Sequence, residues 1–109
     1  MINQAEVQQW LVDALKEALE YNEHEEVEKS VAAWKRGYSH FEEQLEPALR
    51  YYDVDSNRVT ELEFLIGRIG AEARAGNPIA MASKMTEFNE KMEQQLPLIP
   101  SPPTTTLTH

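Results

Sequence analysis

The chain has 109 residues, 41% of them apolar, and carries 19 acidic against 10 basic side chains for a formal net charge of −9. That length supports one hydrophobic core and hardly two, and a negative field of this size repels phosphate backbones, which excludes nucleic acid and favours a cation or a basic protein as ligand. With no cysteine, disulfides, thiolate metal sites and a cysteine nucleophile are excluded as well.

No stretch approaches the ~18 apolar residues of a membrane span, so no membrane segment is predicted. The Met1 to Glu6 start lacks a basic region followed by an apolar run, so as written the chain reads as cytoplasmic.

Asn3 followed by Glu6 has capping-box spacing. Val7, Trp10, Leu11, Ala14, Leu15, Ala18 and Leu19 then recur at helical intervals, which predicts a first helix from about Asn3 to Tyr21 with one broad apolar face. The pattern breaks at Asn22 to Glu26. It resumes in alternating fours and threes at Val27, Val31, Trp34, Tyr38, Phe41 and Leu45, the clearest stripe in the chain. Pro47 lacks an N–H and its ring clashes with the preceding turn, so the second helix is expected to kink or stop near Glu46, with Ala48 to Tyr52 as a last turn.

Asp53 to Asn57 reads as a loop ending in an N-cap. A third helix carries Val59, Leu62, Ile66, Ile69 and Ala73. Gly76, Asn77 and Pro78 then supply in succession a helix stop, an N-cap and a favoured first helical residue. The fourth helix carries Met81, Ala82, Met85, Phe88, Met92 and Leu96 and ends at Pro97. Four segments of matched length with short connections predict an all-α fold, an antiparallel up-down four-helix bundle over residues 1–96. Residues 97–109, rich in proline and threonine, are expected to form a disordered tail. Gly67 and Gly70 are expected to let the third and fourth helices approach closely.

Catalytic machinery is not apparent, since no Ser/His/Asp order, phosphate-binding glycine loop or lysine-centred site is present. The chain therefore reads as a non-enzyme. Asp53, Asp55 and Asn57 match the first ligands of a calcium loop, but Arg58 stands where the turn needs glycine and Phe64 where the loop closes with a bidentate glutamate. Helix capping accounts for the same residues. The run from Glu20 to Glu28 around His24 reads first as a solvated acidic connection. His40 with Glu43, and Glu42 with Glu46, are spaced to converge on one helix face. The phase of the Trp34, Tyr38, Phe41 and Leu45 stripe turns His40 and Glu43 away from the interior, and no Glu-x-x-His is present, which disfavours a buried di-iron centre. Any metal would then be peripheral or shared with another chain.

Trp10, Trp34, Tyr38, Phe41, Phe88 and the methionines fall on core stripes. Phe64 is turned opposite Val59, Leu62 and Ile66, and with Tyr51 and Tyr52 it is either a candidate protein-contact patch or a side chain loosely covered under the Pro47 kink or the C-terminal tail. A homodimer is a further expected partner arrangement.

The run Ala33-Trp34-Lys35-Arg36-Gly37-Tyr38-Ser39-His40-Phe41-Glu42, the stretch Glu46 to Asp53, Val59 to Phe64 and Arg74-Ala75-Gly76 together resemble the extracytoplasmic helical domain associated with bacterial high-affinity iron permeases. The resemblance covers under half of the chain. It implies an accessory metal-binding module, with iron or a similar transition metal held near His40, Glu42, Glu43 and Glu46 and near Glu61 or Glu63. It also implies an extracytoplasmic location after removal of a signal. The other expectation is an acidic interaction module, such as an adaptor, an inhibitor or a phage-type antagonist, whose negative field engages a basic partner surface.

Overall fold

A computed structural model describes residues 4–51 and 54–95, which are helical but for short connections and include no strand. Helix α1 spans Gln4–Glu23, α2 Val27–His40, α3 Glu46–Tyr51, α4 Ser56–Arg74 and α5 Pro78–Gln95. Between α2 and α3 a π-helical turn, Phe41–Leu45, keeps helical dihedrals at both joints, so α2, the π turn and α3 form one continuous rod. Four rods result. α1 packs on α2, α2 on α4, α4 on α5 and α5 on α1, which is the ring order of an antiparallel up-down bundle.

Of the two outcomes the sequence allowed at Pro47, a stop or a distortion with a further turn beyond, the rod takes the second, and the distortion is a π turn ahead of the proline. The Glu46 N–H reaches back to the Phe41 carbonyl, five residues earlier, and this wider turn gives the proline ring room against the preceding carbonyls. Pro47 then stands in the first turn of α3, where a missing N–H is tolerated. The inserted residue also shifts the phase: alternating fours and threes would next bury residue 48, whereas Leu49 is buried and Ala48 is half-buried.

Leu11 and Leu15 from α1, Phe41 and Leu45 from the π turn, Leu62 and Ile66 from α4, and Met81 and Phe88 from α5 meet in one core. Phe41 and Phe88 contact edge to face with centroids 5.9 Å apart. Complete burial of each such ring is worth about 1.5–3 kcal/mol. On the second rod Trp34 is buried, donates from Nε1 to the Ile66 carbonyl at 2.9 Å and stacks on Tyr38 at 5.2 Å.

That indole corrects the expectation for the glycines. Gly70 lies under Trp34 of α2, where a Cβ would overlap the indole, while Gly67 is exposed with open space beside it. Gly70 thus makes room for the Trp34 side chain of α2 and not for the fourth rod. Gly37 serves the α1–α2 seam, where a Cβ would sit 3.3 Å from Leu11 and Leu15 and 3.4 Å from Ala14.

Two connections end in the same cap. After α1, Glu26 N–H bonds the Tyr21 carbonyl at 2.8 Å and Glu25 N–H the Asn22 carbonyl at 3.0 Å. After α4, Asn77 N–H bonds Glu72 at 3.0 Å and Gly76 N–H bonds Ala73 at 3.1 Å. Both patterns are Schellman caps and need a left-handed residue. Gly76 supplies it at φ 68°, and at the first cap Glu25 adopts φ 62° without being glycine.

Asn77 caps α5, as its Oδ1 accepts from Ala80 N–H at 3.4 Å, and Asp55 caps α4 by accepting from Asn57 N–H at 2.8 Å. The second cap accounts for Asp55 without calcium. Leu96 and the expected tail, 97–109, lie outside the described residues.

Candidate functional site

The residues singled out for metal binding are placed by four successive elements, α2, the π turn, α3 and α4, and face different neighbours. His40, last in α2, turns toward α1 and sets its ring 5.4 Å from that of Trp10 at 47°. Glu43 and Glu42 are exposed on the π turn. Glu46 pairs with Arg50 at 3.0 Å, and Arg50 also approaches Glu63 of α4 at 3.7 Å. Glu61 points to the other side of α4 and pairs with Lys91 of α5 at 3.1 Å. Among the described residues no three His, Asp or Glu side chains form a group suited to hold a metal ion. His24 likewise turns back on its own helix, its Nδ1 2.9 Å from the Glu20 carbonyl.

Glu46 and Glu63 nevertheless form a distinct carboxyl pair between α3 and α4. The Glu46 carboxylate, to which a protonated Glu63 hydrogen-bonds, raises the Glu63 pKa. Burial and the charges of Glu46 and Glu42 add to the rise, and Arg50 opposes it. Glu42 also stands beside the Tyr38 hydroxyl and lifts that phenol above its ordinary value, with burial contributing. Glu42 and Glu46, four residues apart, thus both act on Glu63 of α4, while His40 lies against Trp10 of α1.

Of the expected contact patch, Phe64 is 63% exposed and Tyr51 79% exposed, and Tyr52 lies outside the described residues. Phe64 stands on the outward face of α4 with Thr60, Gly67, Ala71 and Ala75, all exposed and uncharged.

Trp10 departs from its sequence expectation. It is 46% exposed, not a core residue. The reason lies in the α1–α2 seam: Ala14 and Gly37 bring the two helices so close that an indole at the flank of the apolar face has no interior space and is displaced onto the outside of the seam. There it lines an open groove of about 410 Å³ with Asp13, Ala14, Glu17, Arg36 and His40. Arg36 pairs with Glu17 at 2.7 Å across the groove, and Gln9 Nε2 donates to Asp13 at 2.8 Å. The groove thus joins an exposed indole to two carboxylates and one guanidinium. Periodicity alone hid it, since the spacing of Trp10 is compatible with the core; the small residues Ala14 and Gly37 on facing helices were the available signal.

A second residue that the sequence left unmarked is Asn22. Its buried Nδ2 donates to Ser30 Oγ at 2.9 Å and to the Ala73 carbonyl at 3.0 Å, and Ser30 in turn donates to the Ala18 carbonyl at 2.6 Å. This polar clip ties α1, α2 and α4 together at one end of the bundle. It is structural in kind and sits away from the groove.

No family model, curated protein or solved structure matches this chain. Among the described residues no helix is long and apolar enough to cross a membrane.

Proposed function

We propose that this protein is a non-catalytic, acidic interaction module that binds a basic surface of a partner protein through the α1–α2 groove. The observation that carries the reading is Trp10, an indole held 46% exposed beside Asp13 and Glu17 on a chain of net charge −9. Indoles and guanidinium groups are the side chains on which interfaces most depend, and an indole left in water on a stable bundle gains most when a partner covers it. The negative field adds long-range attraction that speeds encounter with a basic surface and selects against acidic ones.

Capture of iron or another cation finds less support, because the six side chains it draws on are divided among Trp10, Arg50, Lys91 and solvent. The interaction reading is tested by recovering partners of the tagged full chain from its native cells at low and high salt. A partner with a basic contact surface, released as salt rises and lost with Trp10→Ala, is expected. Recovery of only acidic partners, or retention unaffected by salt and by that substitution, refutes it.

A further inference from the structure

We infer that the α1–α2 groove is a seat for an arginine side chain presented by the partner, with the guanidinium stacked on Trp10 and paired with Asp13. This rests on the reading of the protein as an interaction module and names the group that the module recognises. The case begins with the support of the indole. His40 packs against Trp10 at a ring distance of 5.4 Å, so the side chain is braced from the α2 side while nearly half of it stays in water. Trp presents the strongest π face to a cation, and a braced ring loses little freedom when it is covered.

Charge decides the sign of the occupant. Asp13 and Glu17 contribute two negative charges to the groove and Arg36 one positive charge, so one further cation neutralises it. Arg36 is already committed to Glu17 at 2.7 Å, whereas Asp13, one turn from Trp10 on the same helix, is oriented by the neutral amide of Gln9 at 2.8 Å. A cation entering beside Trp10 therefore meets Asp13.

The molecule itself shows both halves of the proposed contact. Arg36 on Glu17 is a guanidinium on a carboxylate inside this groove, and Arg74 sets its Cζ 4.9 Å from the Trp34 ring elsewhere in the bundle. A planar, weakly hydrated guanidinium satisfies a carboxylate and an indole face together, which the compact, strongly hydrated ammonium of lysine does less well. The groove is open to solvent along the α1–α2 seam, so a long side chain can lie in it beside Trp10 and Asp13.

The test is a titration of the isotopically labelled full chain with a short arginine-rich peptide and with a lysine peptide of equal length, at low salt and followed by NMR. The Trp10 indole N–H and the Asp13 and Ala14 amides are expected to shift while the buried Trp34 indole stays in place. Trp10→Ala and Asp13→Asn are each expected to weaken the arginine peptide by about fivefold or more, with unchanged helical content by circular dichroism, and the lysine peptide is expected to bind more weakly. Full affinity in both variants, with shifts mapping to another face, overturns the arginine seat and with it the α1–α2 groove as the binding surface, and leaves only the recognition of basic partners standing. Equal affinity for the two peptides overturns the stacking on Trp10. Failure of the chain to bind either peptide overturns the interaction reading itself.

Discussion

Glu25 occupies a position built for glycine, and replacing it should stabilise the bundle. At φ 62° it closes the Schellman cap of α1, with the same hydrogen-bond pattern that Gly76 closes at φ 68° after α4. An L-residue in the left-handed region costs about 1–2 kcal/mol from the approach of Cβ to the following carbonyl. Glycine removes that cost but has more freedom to lose from the unfolded chain, which takes back about 0.4–1 kcal/mol. The balance for Glu25→Gly is a gain on the order of 0.5–1 kcal/mol, or a rise of roughly 2–8 °C in Tm for a domain of this size. Removing a carboxylate also relieves repulsion from Glu20, Glu23, Glu26 and Glu28, so Glu25→Gln, which removes the charge but keeps Cβ, is the necessary control. Thermal unfolding followed at 222 nm compares the two. If Glu25→Gly melts no higher than Glu25→Gln, the backbone account is wrong and any gain is electrostatic.

Other perturbations have equally definite expectations. Gly70→Ala forces a Cβ into the Trp34 indole and should cost about 1–3 kcal/mol by denaturant unfolding. Gly67→Ala on the same helix meets open space and should be neutral or stabilise by up to about 1 kcal/mol; a similar loss at both positions refutes the contact-based argument. Asn22→Ala breaks the clip to Ser30 and Ala73 and should destabilise by about 1–3 kcal/mol, read from the same unfolding curves. For Glu63 the folded-state pKa lies above its unfolded value, so the folded chain holds that proton more tightly. Its contribution to stability is fully present below the unfolded pKa and is lost as pH rises through the folded one. Glu63→Gln should therefore raise Tm at neutral pH and reduce the gain in Tm that Glu63 is expected to give the wild type on acidification toward the carboxylate range; an unchanged pH profile in the variant removes Glu63 as a contributor.

Helix positions, the Asn77 cap, the stop at Gly76 and the outward aspect of Phe64 were legible in the sequence because each depends on local chemistry: apolar periodicity, short polar side chains and the freedom of glycine; a capped start within Asp53 to Asn57 was legible too, but not that Asp55 supplies the cap. The fate of Pro47 was legible only as a choice between a stop and a distortion. A proline stops or kinks a straight α-helix, and only the demand of the core for Leu49, answered by a π turn, carried the rod through. Trp10 was misplaced for a related reason. Periodicity says which side of a helix is apolar, but how far a flank residue sinks depends on how closely the neighbouring helix approaches, and Ala14 and Gly37 fix that distance only once α1 and α2 are paired.

The carboxylates followed the same division. From spacing along one helix, His40 with Glu43 and Glu42 with Glu46 were equivalent pairs; the neighbouring rods separated them, giving His40 to Trp10, Glu46 to Arg50 and Glu63, and Glu61 to Lys91. By itself, then, the sequence determined an all-helical chain of four rods with an acidic exterior, since helix formation and surface charge are set by composition and short-range pattern. Only tertiary packing decided which exterior groups meet and which aromatic stays in water, because both depend on the distance and rotation between rods that are far apart along the chain.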